Sequence, residues 1–385
     1  MASLSPKELT FGAAPSRARR VLRAGDTILS TDRTYLKAVA NFPEAPYGLV
    51  ASTGFAVLRP IGRLHPRFAY WAALSEPFIE NVVAHSEGVS YPAINPSVLG
   101  SLHMPMPPHF DQERIANFLD EQTAQIDALI GEKERLLSCL ENALEAYAFN
   151  LVTEGVNSAG VSTNRVEGWL SRVPSHWKTP KLGYFAEVGN GATPKRDVED
   201  YWVNGTIPWV TSTAINDRVI TSTSECITDA GKSAAGLKLV RSGSTIVGLI
   251  GQGPTRGMAA KLGIQATVSQ NVAYVTSRDQ RVVADGYLVV VLTGLYTALR
   301  YLSDGSGGAQ GAMNCETLRA FRVPIAPEKE QPVLVDAFIA RKNAVEAMQA
   351  HAYEHIDRLR EYRSSLISAA VTGQLDLSTF KKAVQ

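Results

Sequence analysis

Two stretches about 219 residues apart carry the same pattern, and this self-similarity limits the possible folds more than any other property of the chain. SRARRVLRAGDTIL (16–29) matches AAGLKLVRSGSTIV (234–247), so Val21, Arg23, Gly25 and Ile28 fall on Leu239, Arg241, Gly243 and Ile246. YPAINPSVLGSLHMPMPP (91–108) answers QGAMNCETLRAFRVPIAP (310–327), pairing Ala93, Asn95, Leu99 and Pro105 with Ala312, Asn314, Leu318 and Pro324. A period this long describes a duplicated globule-plus-helix unit and excludes a short solenoid. A chain with two copies of one binding unit fits a partner with two sites.

Each copy ends in a long heptad-patterned segment. Over 113–152, Ile115, Leu119, Ile126, Leu129, Leu136, Leu140, Leu144, Tyr147 and Leu151 recur at steps of three, four and seven. With no proline and only Gly131 inside, the spacing predicts one helix of about 40 residues, about 60 Å long, entered at Asp111 and stopped at Gly155. The second copy, about 332–372, places Val335, Phe338, Val345, Met348, Ala352, Leu359, Tyr362 and Leu366 at comparable steps and closes at Gly373. Two such helices in one chain bury their seams against each other, and a twofold arrangement makes them antiparallel.

The globular stretches are mildly basic, whereas residues 108–167 hold 4 Lys and Arg against 11 Asp and Glu. That partition fits globules that meet phosphate and helices that meet protein. Residues 168–326 read as short strands and turns. LKLVRSGSTIVGLIG (237–251) reads as a strand pair about a Gly-Ser turn, and AKLGIQATVSQNVAYVTS (260–277) as further strands. Between them, GQGPTRGMAAK (251–261) is a glycine-rich hairpin loop. Its backbone amides and Arg256 suit phosphate or a base edge, but no Gly-Lys-Ser or Gly-Lys-Thr follows to make a nucleotide loop. In GNGATPKRDVEDYW (189–202) and GTIPWVTSTAIND (205–217) the aromatics and hydroxyls serve equally as core and turn residues or as DNA contacts.

Catalytic patterns are lacking. The sequence holds no amino-methyltransferase tetrapeptide, no GxGxxG after a strand, no HExxH and no GxSxG. Its seven histidines form no ligand set, and His351 and His355, one helical turn apart, read as a surface pair. Three scattered cysteines, a polar start and no apolar run long enough to span a bilayer lead us to expect a reducing compartment, the cytoplasm, with no membrane partner.

The order globule, helix, globule, helix resembles the DNA-specificity subunit of type I restriction-modification systems. VPSHWKTPKLGYFAEVGNGATPK (173–195) is similar to the opening of that family's target-recognition domain, and IPWVTSTAI (207–215) to the phrase that follows. RAGDTILS (23–30) resembles a strand in the middle of such a domain. QERIANFLDEQTAQIDALI (112–130) and LREYRSSLISAAVTGQLDL (359–377) resemble the family's spacer helices. The resemblance implies a non-catalytic reader of double-stranded DNA with an α+β fold and an internal pseudo-twofold repeat. Two mixed, strand-rich target-recognition domains, separated by two long antiparallel coiled-coil helices, each read half of a split target. Two methyltransferase subunits dock on the assembly and hold S-adenosylmethionine. A further restriction and translocase subunit uses ATP, so this chain itself holds no cofactor and no metal.

The expected boundaries are 1–110 for the first recognition domain, 111–155 for the first spacer helix, 156–327 for the second domain, 328–375 for the second helix and 376–385 for a tail. With the copies aligned, Glu8 falls on Cys226, so the first domain is expected to lack a counterpart of roughly 168–218 and to be shortened at its start. The candidate DNA contacts are Lys195, Arg196, Thr211, Ser212, Gln252, Thr255, Arg256, Lys261, Gln270 and Asn271 in the second domain, and Arg17, Arg19, Arg20, Arg33 and Lys37 in the first. An alternative reading keeps the helices as a docking platform for the methyltransferase and assigns the truncated chain a structural or regulatory role, with one half-site no longer read.

Overall fold

The computed structural model describes residues 7–45, 47–156, 163–165, 172–250, 253–304 and 312–377; Gln252 and most of the 376–385 tail lie outside them. In chain order the elements are β1 (Ala18–Val21), β2 (Asp26–Ser30), β3 (Val39–Phe42), β4 (Val50–Ser52), β5 (Phe55–Leu58), α1 (Pro66–Leu74), α2 (Glu76–Ala84), α3 (Pro96–Ser101) and α4 (His109–Glu154). They continue with β6 (Thr163–Arg165), β7 (Arg172–Pro174), α5 (Leu182–Phe185), β8 (Ala186–Asn190), β9 (Ile207–Val210), β10 (Val219–Ile220), β11 (Cys226–Ile227), α6 (Asp229–Ala234), β12 (Thr245–Gly248), β13 (Ala259–Leu262), β14 (Thr267–Val268) and β15 (Val272–Ser277). The last elements are α7 (Asp285–Gly294), α8 (Tyr296–Asp304), α9 (Cys315–Ala320) and α10 (Gln331–Val371). Residues 1–136 with 351–385 form one compact unit, and residues 137–350 form another.

In the unit of residues 137–350, a mixed sheet runs β10-β13-β12-β15-β8 and a smaller one runs β11-β9-β14. Alternation along the strands separates two cores. Val247, Ala273 and Val275 face a cluster with α7, α9 and the helix residues Ala148, Leu151, Val152, Leu334 and Phe338. Ile246, Val272 and Tyr274 face the other way, onto Val210, Ile215, Ile220 and Leu262. Helix α7 carries Tyr287, Leu288, Val290, Val291 and Leu292, all buried, and a helix apolar on every side belongs in a core. No single described helix is long and apolar enough to cross a membrane; the α7–α8 pair that approaches the criterion bends by 61°.

Where α7 ends, the backbone approaches α4 so closely that a Cβ on Gly294 would sit 2.5 Å from the Ala148 carbonyl oxygen. Gly294→Ala is therefore expected to destabilise this unit by about 1–3 kcal/mol. A fall in the urea midpoint at unchanged m checks it.

The unit holding residues 1–136 builds its sheet in the order β3-β2-β5 and a two-stranded ribbon from β1 and β4. Ile28 pairs with Ala40 and Val57 across β2, as Ile246 pairs with Ala260 and Tyr274 across β12. Leu29 turns toward α1 and α2, while Ile28 packs on Leu22 and Ala51. The tight turn before each central strand needs the left-handed region, met by Gly25 at φ 86° and Gly243 at φ 90°. Asn95 caps α3 by accepting from Ser97 N–H, and Asn314 caps α9 by accepting from Thr317 N–H.

The long helices extend one or two residues beyond the sequence expectation at their starts. In the first unit, Asp127 accepts from Arg363 Nε at 2.9 Å and Glu134 pairs with Arg360, so rising numbers on α4 meet falling numbers on α10. Part of the acidic face on α4 is thus answered by arginines. Within the other unit Arg341 lies over the Tyr147 ring.

The seam differs from the heptad expectation. Leu129, Leu136, Met348 and Tyr362 are exposed, and Ile130, Leu137 and Ile356 are buried instead. On a 3.6-residue helix, steps of three and four from Ile126 both stay near the stripe, and the packed neighbours select the latter.

The 237–251 stretch is also not a strand pair. Beyond β12 it contributes isolated bridges of Val240 with Ala266 and of Ile250 with Ala312, because the chain after the Gly243 turn pairs with β13 and β15.

Candidate nucleic-acid interface

In the second unit, parallel pairing of β9 with β14, Trp209 opposite Thr267, sets the carboxyl ends of both strands side by side. Ser269 N–H donates to the Val210 carbonyl at 2.9 Å, and Gly191 N–H donates to the Ser269 carbonyl at 3.3 Å. These bonds bring Thr211, Gln270 and the segment after β8 to one end of the domain. A Cβ on Gly191 would lie 1.7 Å from the Val268 carbonyl oxygen, so this contact requires glycine.

Two tryptophans hold the loop from beneath. Trp209, buried, donates from Nε1 to the Ala192 carbonyl at 3.0 Å, and Trp202 donates to the Lys195 carbonyl at 2.9 Å. Their rings meet edge to face at 5.2 Å. The aromatics of both phrases are therefore scaffold, and the polar groups around them are what the loop presents. Thr193 Oγ1 donates to Gln270 Oε1 at 2.6 Å, Asn190 Nδ2 reaches the Gln270 carbonyl at 3.4 Å, and Lys195 is exposed beside them. Thr211 and Thr213 share a 2.8 Å hydroxyl bond, with half-buried Ser212 between them. Amides and hydroxyls in this arrangement suit base edges, and Lys195 suits phosphate.

Other predicted residues are placed differently. Arg196 stacks 3.8 Å from the Trp202 ring centre and donates to both oxygens of Glu225, which holds that carboxyl below the usual range against the opposing effect of burial. Its guanidinium clamps the loop while about half of the side chain stays exposed. Arg256 is buried at 5% exposure, because the β12–β13 loop turns back through Gly257 at φ 81° and Arg300 donates to its carbonyl. Thr255 is half-buried in the same loop. Asn271 gives its carbonyl to Leu249 N–H beside Gln270. Lys261 is exposed but opposite Thr245, at the far end of the β12–β13 hairpin from Gly248, where its N–H bonds the carbonyl of exposed Arg218. Sequence reasoning missed Asn190 and Thr193, which both stand inside the GNGATPK phrase.

In the first unit, Arg17 pairs with Asp32 at 3.6 Å, Arg19 donates to the Ser16 carbonyl at 2.7 Å, and Arg20 is exposed on β1. Arg33 lies over the Tyr91 ring at 4.5 Å, and Lys37 pairs with Glu76. Both adopt left-handed backbone, φ 51° and 52°, which is rare outside glycine. Among the described residues no cluster of three or more His, Cys, Asp or Glu is placed to hold a metal.

The geometry agrees with what the chain is similar to. Residues 174–351 match the family profile "Type I restriction modification DNA specificity domain". The chain is 22% identical over 161 residues to the Type I restriction enzyme EcoR124I/EcoR124II specificity subunit of Escherichia coli, covering 42% of this chain and 39% of that one. It is 25% identical over 248 residues to the Type I restriction enzyme MjaIX specificity subunit of Methanocaldococcus jannaschii, covering 63% of this chain and 54% of that one. The match thus spans less than two thirds of either relative. A solved chain from work on complex assembly and conformational transition of the type I R-M system superposes with a TM-score of 0.72 at 22% identity, over 96% of this chain and 87% of that chain, which establishes a shared mixed α and β fold. The loop of Thr193 and Lys195, the strand ends at Thr211 and Gln270, and the start of α10 all lie inside residues 174–351, the segment similar to the DNA specificity domain of type I restriction-modification systems.

Proposed function

We propose that this chain is the reader of a type I restriction-modification assembly, with no catalysis of its own. Each globule reads one half of a bipartite duplex target, the paired helices set the gap, and two methyltransferase subunits, with a restriction and translocase subunit where present, are directed to the site. S-adenosylmethionine and ATP belong to those partners. The observation that carries the reading is the end of the second unit where Asn190, Thr193, Thr211 and Gln270 converge beside Lys195 on a scaffold pinned by Trp202 and Trp209.

The test is methylation mapping and gel shift of the complex reconstituted with its methyltransferase. Gln270→Ala is expected to relax one base position, at a cost of about 1–3 kcal/mol. Lys195→Ala is expected to weaken binding to all sequences alike and to reduce the salt slope by about one. A complex without any sequence preference overturns the proposal. The three-stranded sheet of the first unit, against five strands plus a β9-type layer in the second, favours one alternative: a subunit that docks the methyltransferase and reads a single half-site. Methylation directed by one half-motif identifies it.

A further inference from the structure

Each long helix carries in its first turn a buried glutamine whose side-chain amide is used the same way. Gln112 is fully buried; its Nε2 donates to the carbonyls of Pro107 at 2.7 Å and Arg63 at 3.2 Å, and its Oε1 accepts from His65 N–H at 2.8 Å. Gln331, 2% exposed, donates to the carbonyls of Ala326 at 2.9 Å and Val282 at 2.8 Å and accepts from Ala284 N–H at 2.9 Å. All three partners recur at the spacing of the two glutamines.

The partners belong to three different pieces of each unit. Pro107 and Ala326 lie on the segment entering the long helix, Arg63 and Val282 on the loop leaving the sheet, and His65 and Ala284 are the N-cap residues of α1 and α7. No other side chain replaces the amide, because glutamate lacks the two donors and asparagine is one methylene short. Three bonds from one rigid planar group hold the sheet-to-helix loop and the first turn of the long helix at a single relative angle.

We propose that Gln112 and Gln331 are positioning residues: each fixes the angle at which a recognition globule leaves its spacer helix, and so restricts the complex to one gap length between half-sites. This rests on the bipartite reading above. A bond set needed for stability alone would lower activity on every target alike. A joint that sets an angle discriminates between targets differing only in the gap, because adding or removing one base pair both shifts and rotates the second half-site.

The experiment uses the full chain in complex with its methyltransferase and a set of duplexes carrying the mapped motif with its native gap, one base pair fewer and one more. Gln331→Met and Gln112→Met keep the side-chain volume and lose all three bonds. Each is expected to cut the preference for the native gap by about tenfold, equivalent to about 1.4 kcal/mol of discrimination, while the bases recognised within each half-site stay the same. Gln331→Asn is read identically should either methionine variant fail to yield a folded complex. An unchanged gap preference at uniformly reduced activity overturns the positioning role and leaves the bipartite reading intact. Wild-type complex that methylates all three gaps equally overturns both.

Discussion

Gly191→Ala is expected to weaken sequence-specific DNA binding through the second unit by at least about tenfold while leaving most of its core folded. A methyl group at this position would enter to within 1.7 Å of the Val268 carbonyl oxygen, closer than any real contact, and that oxygen belongs to a paired strand rather than to a side chain able to swing away. The loop must therefore lift off β14. Lifting it breaks the Gly191–Ser269 bond and pulls the Ala192 and Lys195 carbonyls from the two indoles that hold them. Thr193 then leaves Gln270, and each lost base-edge contact costs about 1–3 kcal/mol. Specific binding should fall by at least about tenfold, measured by gel shift against a scrambled duplex. Gly131→Ala on α4 is the control, since nothing lies within 4 Å of the Cβ it would add, and it should leave binding unchanged. Wild-type affinity in Gly191→Ala would show that this loop is not the reader.

Arg59→Ala should unfold the first unit far more readily than its surface position implies. Asp26 is 1% exposed at the start of β2 and is held by Arg59 Nε at 2.8 Å, Arg59 Nη2 at 2.6 Å and Arg23 N–H at 2.7 Å. Burial pushes this carboxyl up, and the Arg59 and Arg23 hydrogen bonds with the Arg59 charge outweigh it, leaving its pKa below the ordinary 3.8. A folded-state pKa below the unfolded one stabilises the protein above the unfolded value, and that stability is lost as pH falls through the folded value.

Removing Arg59 strands a buried carboxylate without its charged partner, so the variant should unfold at a clearly lower urea midpoint. Without its partner the carboxyl is dominated by burial, so its pKa rises above the ordinary value. The deficit of Arg59→Ala should then be greatest at neutral pH and shrink toward pH 4. Urea unfolding at several pH values measures this, and Asp26→Asn in the Arg59→Ala background should recover part of the loss. A deficit independent of pH would place the effect in the packing of the arginine stem instead.

The structure explains which expectations were readable. Both long helices and the Gly-Ser turn at Gly243 rest on interactions within a few residues, and they occur where the pattern places them. The candidate site was legible as phrases and not as an arrangement. Lys195, Thr211 and Gln270 lie near one end, but Lys261 lies at the other end of its hairpin, Arg256 is buried and Arg196 is engaged by Glu225 and Trp202. Every basic residue in a glycine-rich stretch looks alike in sequence. What separates them is whether the loop turns inward, and that is set by contacts with α8 residues such as Arg300, far along the chain.

By itself the sequence determined the two-fold recurrence of pattern, the helix spans and the absence of familiar catalytic motifs, because periods of 3.6 and 2 residues and glycine turns are local properties of the chain. Tertiary structure decided which polar groups converge, which arginines are scaffold, and that Gln112 and Gln331 tie sheet, loop and helix together. Those outcomes depend on pairing residues tens of positions apart, Trp209 with Thr267 and Gln331 with Ala284, and the hydrogen bonds that enforce such pairings leave no periodic trace in the sequence.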